Sequence, residues 1–98
     1  MEVDIGELQR TVEHQHHCKA RLVQSVPVKE THGADTVWEG VVHVFDIYGN
    51  DKATAAYAWS SPLEGTTKRR FFAVLHQGPV KSPLDAVRAA IVAEQRQK

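Results

Sequence analysis

The longest stretch with apolar residues on both alternating faces is Thr36 to Gly49, TVWEGVVHVFDIYG. Read as a strand, it places Val37, Val41, Phe45 and Ile47 on one side and Trp38, Val42, Val44 and Tyr48 on the other. Such a strand is central, and both of its faces need cover from other elements or from a second copy of the chain. Upstream, Cys18, Ala20, Leu22, Val26 and Val28 alternate with Lys19, Arg21, Ser25 and Pro27, which predicts a half-buried strand. Pro27 has no amide to donate, so that strand belongs at a sheet edge or carries an irregularity. The polar segment Lys29 to Asp35, KETHGAD, reads as the loop of a hairpin.

Beyond the central strand, Gly49-Asn50-Asp51-Lys52 is turn chemistry. Ala53 to Ser60 predicts a third strand with Ala53, Ala55, Tyr57 and Trp59 on one face. Its alanines make a helix the competing reading, but Thr54, Tyr57, Trp59 and the short length favour a strand. Ser61 to Thr67, with Pro62 and Gly65, reads as an exposed loop. Lys68 to Gln77 is the fourth strand, with Phe72 and Val74 on one side and Phe71, Ala73 and Leu75 on the other.

Helical spacing appears only at the two ends. Ile5, Leu8 and Val12 predict a short amphipathic helix from about Ile5 to Gln15, opened by an Asp4 to Glu7 capping box. Near the other end, Ser82 as N-cap, Pro83 at the first helical position and Asp85 in the first turn predict a helix running to about Gln95. Leu84, Val87 and Ile91 form its apolar stripe, with Ala86, Ala89, Ala90 and Ala93 as a smaller-residue side. The resulting order, α-β-β-β-β-α, predicts one α+β domain over residues 1–98, a four-stranded and mainly antiparallel meander with two helices packed on it. Because the central strand is apolar on both faces, the sheet face away from the helices is expected to lie in a homodimer interface.

Composition narrows the function more than it defines it. The 98 residues are 42% hydrophobic and 24% charged, too apolar for a disordered chain. No apolar run could span a bilayer, and the acidic start MEVDIGELQR is unlike a signal peptide, so the expected location is the cytoplasm, away from membranes. The single Cys18 excludes an intrachain disulfide. Net charge is zero, yet residues 1–51 hold nine acids against four bases and residues 52–98 hold three against eight. That asymmetry either mixes on a common surface or survives as patches that steer a partner.

Four clusters carry candidate chemistry. His14, His16, His17 and Cys18 suit zinc or copper, and His14, His17 and Cys18 share a face if the segment is helical, but no second pair completes a four-ligand site. Glu39, His43 and Asp46 lie along the central strand. Glu39 and His43 share a face yet stand about 13 Å apart at roughly 3.3 Å per residue, too far for a direct hydrogen bond. With no nucleophile, metalloprotease or phosphate-loop motif, an enzyme is disfavoured and no cofactor is implied. Lys68, Arg69 and Arg70 with Phe71 and Phe72 form the basic, aromatic patch expected of a nucleic-acid binder, and Lys19 and Arg21 would extend it if the strands pair suitably. Trp38, Tyr48, Tyr57 and Trp59 form the fourth set, a subunit interface or a ligand pocket.

The α-β-β-β-β-α order resembles the α-β-β-β-α double-stranded-RNA-binding domain, from which it departs by an extra strand and by lacking a basic cluster at the start of its last helix. The segments WEGVVHVF, YAW and GPVKSPLDAVRAAI, about a quarter of the chain, resemble small bacterial proteins carried on mobile elements such as integron gene cassettes. That resemblance implies a compact, often oligomeric protein without an assigned activity, and it transfers no functional residue. The reading that results is a homo-oligomeric binding or interaction module. A nucleic-acid-binding protein and a small metal protein or enzyme are the alternatives.

Overall fold

The alternating pattern of residues 19–48 folds into one long hairpin that frames the molecule. The computed structural model describes residues 5–62 and 65–96, with the backbone alone for 94–96. Strand β1 (Lys19–His32) pairs antiparallel with β2 (Asp35–Tyr48) through the two-residue turn Gly33-Ala34. Gly33 has φ +63° while Ala34 keeps a negative φ, the pattern of a type II′ turn led by glycine. The loop expected from Lys29 to Asp35 is thereby corrected. A turn that matches strand twist needs only two residues, so Lys29 to His32 extend β1 and Asp35 opens β2.

Strands β3 (Ala55–Pro62) and β4 (Arg69–Leu75) continue the antiparallel sheet in the order β1-β2-β3-β4. Helices α1 (Ile5–His16) and α2 (Pro83–Arg96) complete the α-β-β-β-β-α, α+β fold that the pattern predicts. The Asp4 end of the expected capping box lies outside the described residues.

Two bulges control which faces of the hairpin are buried. Leu22 pairs with Phe45 but Gln24 pairs with Val44, which leaves Val23 as an extra residue in β1. Glu30 pairs with Trp38 but Thr31 pairs with Thr36, which leaves Val37 extra in β2. A bulged residue shifts the alternation by one, so every later side chain changes face. Ala20 thus shares a face with Ile47, whereas Val26 and Val28 turn to the opposite face beside Val42. The single stripe expected from Cys18 to Val28 is in fact two stripes on two faces.

The helices lie on opposite sides of the sheet. Leu8 and Val12 of α1, both fully buried, pack on Ala20, Phe45, Ile47, Ala56, Ala58 and Leu75. On the other side Ala86, Val87, Leu84, Ala90 and Ile91 of α2 cover Val28, Val42, Tyr57 and Trp59. Each large apolar side chain buried in this way contributes about 1.5–3 kcal/mol. The expectation that one face of β2 awaits a partner is corrected along β3 and β4, because each helix supplies one layer. Ala53 also departs from its expected place beside Tyr57 and Trp59. It precedes β3 and packs on the α1 side.

Local chemistry fixes both helix ends. The Ser82 hydroxyl accepts from the Asp85 amide (3.1 Å), the N-cap bond that its position predicts. At the end of α1, His17 adopts φ +51° and the Cys18 amide donates to the Glu13 carbonyl (3.2 Å), closing the helix with a Schellman-type bond. The Glu13 carboxylate then accepts from the Ala20 amide (2.9 Å), and Asn50 donates to the His16 carbonyl (3.0 Å). These bonds tie the helix end to the start of β1 and to the β2–β3 turn. Across the sheet, Arg88 of α2 forms an ion pair with Glu30 of β1, and that guanidinium holds the Glu30 carboxyl below its usual range.

Candidate functional site

The aromatic candidates are mostly interior. Trp59 is 2% exposed, stacks on Phe72 (centroids 5.1 Å, interplanar angle 10°) and meets Trp38 edge-on at 6.1 Å. Trp38 is half-buried and donates through its indole N–H to the Ser61 hydroxyl (3.1 Å). The Tyr57 hydroxyl lies 2.6 Å from His76 Nδ1, and burial raises its pKa. An open binding surface at Trp38, Tyr57 and Trp59 is therefore corrected: α2 lies over them and they form its packing bed. Tyr48 is separate and largely exposed, at the far end of β2.

The basic candidates are divided by strand alternation. In the β3–β4 ladder Arg69 shares a row with Pro62 and Arg70 with Ser61, so the two guanidinium groups leave opposite faces. Arg69 is half-buried and donates from Nε to the Ser60 hydroxyl (2.8 Å) and from its terminal nitrogen to the Ser60 carbonyl (3.1 Å). Arg70 stacks over the Phe72 ring at 4.8 Å. Lys68 is exposed beside them. Lys19 and Arg21 do not extend this patch, since β1 and β4 are opposite edges of the sheet, and Arg21 pairs with Asp46 across the hairpin at 3.5 Å.

His43 is a satisfied sheet histidine. It is 8% exposed, its Nδ1 lies 2.7 Å from the Ser25 hydroxyl, and desolvation lowers its pKa. Glu39 lies on the same face as His43 but four residues along the strand, opposite Lys29. The geometry assembles no acid-base pair from these three residues.

Around the end of α1 the structure does gather expected residues. His14, His17 and Cys18 line one open depression of about 660 Å³ together with Arg10, Lys19 and Tyr48. His16 instead turns toward β4, where its Nε2 lies 3.0 Å from the Ala73 carbonyl. Among the described residues no group of three His, Cys, Asp or Glu is close enough to hold a metal ion. Burial, reinforced by Glu13, raises the Cys18 pKa.

One apolar surface lacks a cover. The β2–β3 ladder ends at His43 paired with Ala58, so residues 35–42 of β2 pair only with β1 and form a two-stranded arm. On its α1 side the arm carries Pro27 beside Val41, and Val41 is 46% exposed. Leu22 and the bulged Val23 and Val37 are exposed on the same hairpin. Alternation alone could not reveal this patch, because the bareness of Val41 depends on where α1 ends. Among the described residues, no helix is long and apolar enough to cross a membrane. Comparison with family models, with curated proteins and with solved structures finds no match to this chain.

Proposed function

We propose that this chain is a non-enzymatic binding module that works as a homodimer through the bare α1-side face of its β1–β2 arm. The observation that carries the reading is Val41, a β-branched residue on the central strand left 46% exposed beside Pro27, where neither helix reaches. A free sheet edge is the weaker meeting place. Edge strand β1 carries Pro27, a bulge at Val23 and flanking lysines, the devices by which natural sheets discourage edge pairing. Face-to-face contact of two arms, about 10 Å apart, buries the apolar rows of both copies. The Lys29–Glu39 row supplies both charges at the rim of each copy, which suits contact between identical surfaces.

Light scattering at low and high salt tests this directly. The expected result is a salt-resistant dimer that Val41→Glu converts to monomer, with an unchanged far-ultraviolet spectrum. A wild-type monomer at roughly 0.1 mM, a concentration typical of such measurements, sinks the proposal. Tryptophan emission does not substitute for the mass, because α2 already shields Trp59 in a single copy.

A further inference from the structure

We infer that the depression at the end of α1 is a binding site for a phosphate group, separate from the arm. Arg10, His14 and His17 stand at i, i+4 and i+7, and so follow one stripe of the helix and its C-cap. Facing that stripe is the cross-strand pair Lys19 and Tyr48, in register at the open end of the hairpin. The side chains of Arg10, His14, His17 and Lys19 make no hydrogen bond or ion pair among the described residues. The one carboxylate lining the space, Glu13, is held by the Ala20 amide. The Arg10 and Lys19 cations outnumber that one carboxylate, and their donors line, with two imidazoles and a phenol, one volume of about 660 Å³, within the range of small-ligand sites.

His17 adds an independent observation. It is the one non-glycine with positive φ among the described residues, at a helix C′ position where glycine is favoured. The turn that closes the helix thereby places this imidazole in the lining of the depression. Metal is the poorer fit, since among the described residues no three ligands converge. Phosphate oxygens instead match the donors present. The group is carried either by a small molecule or by a nucleic-acid strand, for which the exposed Tyr48 ring is a stacking surface.

Nuclear magnetic resonance titration of the full chain at low salt distinguishes the outcomes, with inorganic phosphate, adenosine monophosphate, a short oligothymidylate and zinc chloride as separate probes. Saturable shifts confined to the amides of residues 10–19 and 48–49 are expected with phosphate-bearing probes. The double variant Arg10→Gln/Lys19→Gln is expected to weaken binding at least tenfold, and Lys81→Gln to leave it unchanged. His17→Gly is expected to keep the fold, because glycine suits that backbone, while weakening binding several-fold. Equal response to phosphate and nucleotide identifies a small phosphate ligand. Much tighter oligothymidylate binding, lost with Tyr48→Ala, identifies a nucleic-acid strand. Absence of shifts with every phosphate probe, shifts indifferent to the double variant, or saturable zinc binding in place of phosphate overturns the inference.

Discussion

At single positions, small steric facts decide the arrangement of the aromatic bed. A Cβ on Gly40 would lie 2.8 Å from Trp38 Cη2 and 2.9 Å from Cζ2, so the indole occupies the space that glycine leaves. Gly40→Ala must displace that ring, with loss of its bond to Ser61 and its edge contact on Trp59. The expected cost is about 1–3 kcal/mol in urea unfolding, together with an altered near-ultraviolet spectrum. In a Trp38→Ala background the same glycine substitution should cost little, and an undiminished cost there would show that the clash is not its cause. The aromatic residues were legible in the sequence as one group, but their burial was not. Periodicity puts Trp59 on a face, and only packing says that α2 lies on that face.

At the scale of elements, the helix limits were the most legible feature because capping is local chemistry. Ser82, Pro83 and Asp85 mark the start of α2 in sequence and in structure, and Ser82 makes the expected bond. Ser82→Ala should lower stability by about 1 kcal/mol, read as a shift in the unfolding midpoint with unchanged steepness. The hairpin was less legible. Its two bulges leave no mark on composition, since Val23 and Val37 look like ordinary strand residues, yet they assign Ala20 and Val28 to opposite helices. Straight alternation from Cys18 to Val28 fails because register belongs to the pair of strands and not to either one alone.

For the molecule as a whole, burial of His43 couples stability to pH. Desolvation holds its pKa in the folded chain below the ordinary imidazole value, while the unfolded chain takes up the proton near about 6.5. The unfolded state thus binds more protons as pH falls through that value. The stability tied to neutral His43 is present above it and is lost between it and the lower folded pKa. Urea midpoints measured near about pH 7.5 and about pH 5.5 should show the decline, and His43→Gln should flatten it. An equal decline in the variant would assign the effect to other groups. On the same face His43 is 8% exposed and Val41, two residues away, is 46% exposed, and that break in cover is where the proposed dimer contact lies.

By itself the sequence determined the number, type and order of the elements, a first strand that sits at an edge or is irregular, and the N-cap of α2. Each of these follows from side-chain periodicity or from bonding within a few residues. Tertiary structure alone decided that the helices take opposite faces, that Trp38, Tyr57 and Trp59 are interior, that Arg69 and Arg70 diverge, and that Arg10, His14, His17, Lys19 and Tyr48 meet around one depression. Those outcomes depend on bulge positions and helix docking between residues distant in the chain, and no local pattern records such long-range packing.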